Sequence, residues 1–189
     1  INISSILKEN FGSTESIKTI NKIRKACVNI GFFQVTGHGI SKKQIQRVCN
    51  VGIKFFKSTE QNKRKLAPKK WNKLNSNVYR GYFPSDVNGK EGLDIGDPMI
   101  SSMFVKKNKR KKIERLNLSK SLNKNSISII KKYYSGIFKL SELLFKIIIS
   151  ISKKDHELSK TAFQRVRTLS TLRFNYYPKQ EKPVEISKE

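Results

Sequence analysis

Apolar positions recur along this chain with two periods. Ile17, Ile20, Ile23, Ala26, Cys27 and Ile30 return every three or four residues, the spacing of one helical face. They predict a helix capped by Ser13 or Thr14 and ended by Gly31. Residues 1–3 alternate and predict an edge strand. Residues 32–36, Phe-Phe-Gln-Val-Thr, lie between glycines and predict a short buried strand. Gly37 and Gly39 flank His38, which predicts a tight turn at positive φ. Ile45, Val48, Cys49, Gly52, Ile53 and Phe56 then mark the apolar face of a second helix, with Ser41 as its cap. A short polar helix is expected over residues 59–66, with Pro68 just beyond it.

Residues 71–103 are rich in Gly, Asn, Asp and Pro and predict an irregular segment, of the kind that often carries function. Over residues 119–152 the period returns to 3.6. Ile130, Tyr133, Tyr134, Ile137, Leu140, Leu144, Ile147, Ile148 and Ile151 share a wide face, interrupted by Lys139, Glu142 and Lys146. No run reaches the eighteen apolar residues of a membrane span, so a buried scaffold helix is expected and no membrane span. Asp155 is expected to cap a turn holding His156. Leu172, Phe174 and Tyr176 alternate within residues 169–177, a strand closed by Pro178.

Composition changes the picture in one respect. The 189 residues carry a formal net charge of +26, which raises nucleic acid or an anionic membrane as partner. Lys far outnumbers Arg, however, and is scattered through every segment, with its densest run at residues 106–112. Phosphate recognition favours Arg forks, so the charge is read as a solvated surface and a nucleic-acid partner as disfavoured. Eleven Phe and six Tyr argue for a packed core. Cys27 and Cys49 show neither metal nor redox spacing and are expected to be buried free thiols in a reducing compartment. A cytoplasmic location follows from that expectation.

Several segments together point to a family. I-N-I-S-S-I-L at residues 1–7 precedes G-F-F-Q-V-T-G-H-G-I at 31–40. F-F-K-S-T-E-Q-N-K-R-K-L follows at 55–66, R-G-Y-F-P at 80–84 and K-E-G-L-D-I-G-D-P at 90–98. A long helical pattern and then L-R-F-N-Y-Y-P at 172–178 complete the order. This series resembles the isopenicillin N synthase-like, non-haem iron(II)/2-oxoglutarate-dependent oxygenases, and the resemblance runs over essentially the whole chain. It implies an α+β chain: a helical N-terminal dioxygenase region leading into the first strands of an incomplete double-stranded β-helix, or jelly roll. The expected division is residues 1–118 for the N-terminal region, 119–167 for the scaffold helix and turn, and 168–189 for the start of the barrel.

The resemblance also implies Fe(II) and 2-oxoglutarate as cofactor and co-substrate of the intact enzyme, neither of them expected to bind the chain as it stands, and a small molecule as its substrate. Asn175 and Tyr177 match the pair that binds 2-oxoglutarate, an amide and a phenol suited to a carboxylate. The alternative is an aromatic strand end in a core. Arg173 shares their face if the strand is regular. Arg80 and Tyr82 lie in a loop that reaches the substrate in some relatives; for Arg80 a plain surface role is the competing reading. In the family a His-x-Asp pair and a distant His hold the metal. Here His38 and His156 are the only histidines, and neither is followed by Asp two residues on. His38 is read as a turn histidine bonded to backbone. The expectation is an N-terminal portion of an oxygenase that binds no iron at the family site and is catalytically incompetent as it stands. The alternative is a non-catalytic binding module with a basic surface. An uncovered strand edge would further invite self-association.

Overall fold

The computed structural model describes residues 1–8, 11–85, 89–99, 116–152 and 170–179. The chain divides into two compact units, Ile1–Ile45 with Ser135–Thr168, and Gln46–Tyr134 with Leu169–Glu189. Both are built from helices, and the second also holds a small antiparallel sheet. The basic run at 106–112, Asp155 and His156 lie outside the described residues.

In the first unit, helix α1 (Thr14–Asn29) starts at Ser13, whose side chain accepts a hydrogen bond from the Ser16 amide. Its buried face is Ser16, Thr19 and Ile23, with Ile20 and Cys27 packed against the same core as expected, while Ile17 and Ile30 at the edges of the expected face are exposed. The reason is polar: Ser16 Oγ donates to the Ser5 carbonyl at 3.0 Å, and Thr19 and Ser5 hydroxyls lie 3.1 Å apart. Ile3, Ile6, Ile23, Leu143 and Ile147 form the core, with Phe33 and Val35 against it.

The strand expected at residues 32–36 is reduced to a single parallel bridge between Asn2 and Thr36. The Ile3 amide donates to Thr36 O and the Thr36 amide to Ile1 O, both at 2.9 Å. Phe33 and Val35 face inward, while Phe32 is 74% exposed. Alternation sends only every second residue inward, so the run cannot be buried as a whole. Gly37 and Gly39 hold φ of 65° and 77°, as the turn requires. His38 Nδ1 accepts from the Ile40 amide at 3.2 Å, the turn role expected of it.

Helix α2 (Lys42–Phe56) begins at Ser41, whose Oγ accepts from the Gln44 amide. In the second unit it buries Val48, Val51, Gly52, Phe55 and Phe56. Cys49 is exposed and Cys27 half-buried, so the expectation of buried thiols fails: the helix turns Val51 and Phe55 inward in place of Cys49 and Ile53. Helix α3 (Glu60–Arg64) is capped by Thr59. A 3-10 turn (Leu118–Lys120) precedes the long helix α4 (Lys124–Ser152).

Residues 71–103 are not simply irregular. They contain strands β1 (Gly81–Phe83) and β2 (Glu91–Ile95), which pair antiparallel, Tyr82 opposite Leu93. Gly81, Gly92, Glu91 and Asp94 dilute the strand composition, which hides the hairpin from pattern reading. Strand β3 (Leu172–Tyr176) pairs antiparallel with β2 to give the order β1-β2-β3. One face of this sheet packs Tyr82, Leu93 and Ile95 into a core with Phe55, Phe56, Leu66 and Ile130. Among the described residues no helix is long and apolar enough to cross a membrane.

Candidate functional site

The sheet of the second unit brings together the residues singled out by sequence. On β3, Leu172, Phe174 and Tyr176 are half-buried against the core, and Arg173 and Asn175 are exposed on the other face. Asn175 lies opposite Gly92 and Arg173 opposite Asp94. Tyr177, just beyond the strand, is 69% exposed. The regular alternation therefore puts Arg173 and Asn175 on one face, as expected, and Tyr177 continues it.

Arg173 does not stand alone there. Its Nε donates to Asp94 Oδ1 at 2.6 Å and its Nη2 to Asp94 Oδ2 at 2.5 Å. This is a bidentate pair, stronger and more directional than a single contact. The Asp94 carboxylate holds the guanidinium still more firmly protonated than usual. Asp94 is buried, and its partner closes over it from the exposed face.

Arg80 and Tyr82 occupy different positions. Arg80 is 6% exposed, not a surface arginine, and its Nη1 donates to the Thr171 hydroxyl, next to the start of β3. Tyr82 is 1% exposed. Its hydroxyl donates to Glu91 Oε2 at 2.7 Å and lies 3.1 Å from Glu60 Oε2. Lys63 completes the cluster, with Nζ 2.6 Å from Glu91 Oε2, 3.2 Å from Glu60 Oε2 and 5.2 Å from the centre of the Tyr82 ring. Burial and the bond to Glu91 drive the Tyr82 phenol far above its ordinary pKa. Burial alone would lower the Lys63 ammonium, but the hydrogen bonds and charges of Glu91 and Glu60 outweigh it and raise the pKa. Partial burial likewise raises the Glu60 carboxyl, and the bonds from Lys63 and Tyr82 more than reverse that, so it ends below the usual range. All these states are charged Lys, charged Glu and neutral Tyr, a satisfied network that ties α3 to the β1-β2 hairpin.

Sequence reading missed Lys63, Glu91 and Asp94. Lys63 is one lysine among many and carries no distinguishing mark. Asp94 does: it is a charge between Leu93 and Ile95 in a short apolar run, and a buried charge needs a partner.

Among the described residues no three His, Cys, Asp or Glu side chains come together as a metal site requires. His38 sits in the first unit with Nδ1 committed to backbone. The described residues therefore offer no donor set that fits an iron ion. Asn175 and Tyr177, by contrast, present an amide and a phenol on an exposed face, a donor set suited to a carboxylate.

Known proteins resemble this chain in sequence and in fold. A family model described as the N-terminal part of the non-haem dioxygenases of morphine synthesis matches residues 1–126. The chain is 25% identical over 170 residues to the isopenicillin N synthase of Amycolatopsis lactamdurans, covering 87% of this chain and 51% of that one. It is 32% identical over 119 residues to a 2-oxoglutarate-dependent dioxygenase of Didymella fabae, covering 58% and 34%. The crystal structure of JOX2 in complex with 2OG, Fe and JA superposes with a TM-score of 0.65 at 18% identity, over 95% of this chain and 48% of that one. The chain thus spans about half the length, or less, of these relatives, and shares the fold of the corresponding half. With two thirds of its residues matched by the family model, the chain belongs to the N-terminal family of the non-haem dioxygenases.

Proposed function

We propose that these residues form the N-terminal region and barrel entry of an Fe(II)/2-oxoglutarate-dependent oxygenase that oxidises a small molecule. The observation that carries the reading is the exposure of Asn175 on β3 and of Tyr177 just beyond the strand's end, within the segment L-R-F-N-Y-Y-P. In this reading Asn175 donates its amide N–H and Tyr177 its phenol O–H to a carboxylate of 2-oxoglutarate, without adding charge to the site. Arg80 and Tyr82 serve as the anchored base of the substrate-facing loop. Both side chains are engaged inside the protein, so they hold the backbone that meets the substrate.

Metal chemistry is not supplied by these 189 residues, which contain no His-x-Asp. Turnover belongs to a protein that carries that pair and a second histidine as well. Here the sequence expectation of no co-substrate binding is set aside, because an exposed amide and phenol can donate to a carboxylate without a metal. The test is binding of 2-oxoglutarate to the purified chain, followed by isothermal calorimetry or ligand-observed NMR. Binding that is lost in Asn175→Ala and reduced in Tyr177→Phe supports the reading. Equal binding by all three overturns the assignment of the pair. Succinate formed from 2-oxoglutarate by the 189-residue chain alone would overturn its catalytic incompetence.

A further inference from the structure

Among the described residues strand β3, five residues long, pairs with β2 alone and stands at the edge of the sheet. An edge strand with period-two side chains can slip by two residues without exchanging its faces. Here the core face does little to forbid such a slip by residue type. In the observed register Leu93 faces Phe174 and Ile95 faces Leu172. Slipped by two towards Tyr177, Leu93 would face Tyr176 and Ile95 would face Phe174, still apolar against apolar. The other face discriminates sharply. The same slip sets buried Asp94 opposite Asn175 and Arg173 opposite Gly96, and so strips a buried carboxylate of its guanidinium. It also replaces Asn175 by Tyr177 opposite Gly92.

We infer that Asp94 is a positioning residue for the co-substrate face of β3: by its bidentate grip on Arg173 it sets the register that places Asn175 opposite Gly92. The inference rests on the reading of Asn175 and Tyr177 given above. Gly92 puts no side chain of its own beside Asn175, and the next side chain across the sheet on that face is Phe83 of β1, whose Cβ lies 3.8 Å from where a Gly92 Cβ would be. Arg80 adds a second grip at Thr171, next to the strand's first residue.

Two competing devices lie on the core face. Phe174 sits over Gly52, where a Cβ would approach its ring to 2.7 Å. Tyr176 stacks on Phe56, with centroids 5.1 Å apart and planes 8° from parallel. If these set the register, Asp94 is dispensable for it, and the experiment separates the two cases.

The test is cross-strand disulfide trapping in the full 189-residue chain carrying Cys27→Ser and Cys49→Ser. Gly92→Cys with Asn175→Cys reports the observed register. Gly92→Cys with Tyr177→Cys reports the register slipped by two. With Asp94 present, the first pair is expected to cross-link in preference to the second by about tenfold or more, and Asp94→Asn is expected to bring the two to within about threefold. Because Asp94→Asn leaves Arg173 unpaired and risks unfolding, Asp94→Asn with Arg173→Leu removes both partners and is expected to lose the preference likewise. Retention of the tenfold preference in that double variant, with native circular dichroism, overturns the inference in favour of the aromatic contacts. Hydrogen exchange of the peptide covering residues 170–179, with and without 2-oxoglutarate, judges the underlying reading separately. No protection by 2-oxoglutarate in the unsubstituted chain defeats the assignment of Asn175 and Tyr177, while the cross-links alone decide what sets the register.

Discussion

The pair Lys63–Glu91 offers the sharpest test of what holds the second unit together. Its nitrogen and oxygen are 2.6 Å apart, with side chains only 9% and 11% exposed. At that distance and an effective dielectric of about 20, the attraction is about 6 kcal/mol. Desolvation of two ions removes several kcal/mol each, so the pair as a whole adds little net stability. Removing one member is another matter, because it strands the other. Lys63→Met leaves the Glu91 carboxylate with the Tyr82 hydroxyl as its donor among the bonds described, and is expected to cost about 3–5 kcal/mol. Glu91→Leu is expected to cost less, because Lys63 keeps Glu60 at 3.2 Å. The double variant replaces both ions by apolar groups and is expected to fall short of the sum by about 2–3 kcal/mol. Since total stability is about 5–15 kcal/mol, each step is measurable by urea unfolding followed by tryptophan fluorescence at Trp71, the single tryptophan of the chain. Additive costs, or a loss below about 1 kcal/mol in Lys63→Met, would refute a coupled, buried ion pair.

Three further outcomes follow from the same unit. Gly81 holds φ of +121°, and a Cβ there would drive into the Leu66 carbonyl oxygen, which also accepts the Tyr82 amide; Gly81→Ala is expected to cost more than the roughly 1–3 kcal/mol of backbone strain alone, read as a lowered urea midpoint. Gly52→Ala should gain about 0.8–1.0 kcal/mol of helix propensity, yet its Cβ would meet the Phe174 ring at 2.7 Å, so a net loss of stability is expected, and a gain would show that β3 yields freely. The folded Glu60 pKa lies below its ordinary value, so its contribution is complete at neutral pH and is lost as pH falls from about 4.5 through the lower folded value; Lys63 and Tyr82 are raised, so their contributions are complete below about pH 10 and are lost as pH climbs beyond it. Urea midpoints across pH should therefore form a plateau with an acid and an alkaline fall. In Glu60→Gln the acid fall should shrink, and an unchanged acid limb would contradict the role given to Glu60.

Local chemistry was legible in the residues themselves. Ser13 and Ser41 cap helices because a hydroxyl beside the first turn has unpaired amides to accept from, whatever the rest of the chain does. Gly37 and Gly39 around His38 announced a positive-φ turn, and alternation in L-R-F-N-Y-Y fixed which side chains of β3 share a face. The ordered segments from I-N-I-S-S-I-L to L-R-F-N-Y-Y-P were enough to indicate the family. Tertiary structure alone decided the rest. The β1-β2 hairpin escaped notice because Gly81 serves close approach to the Leu66 carbonyl, not strand propensity, and that need exists only once Leu66 is in place. Ser16 and Thr19 displaced Ile17 and Ile30 from the buried face of α1 because the Ser5 hydroxyl and carbonyl were there to bond them. Lys63, Glu91 and Asp94 could not be told from other charges until folding buried them, since a charge becomes decisive only where water is excluded and a single partner must replace it.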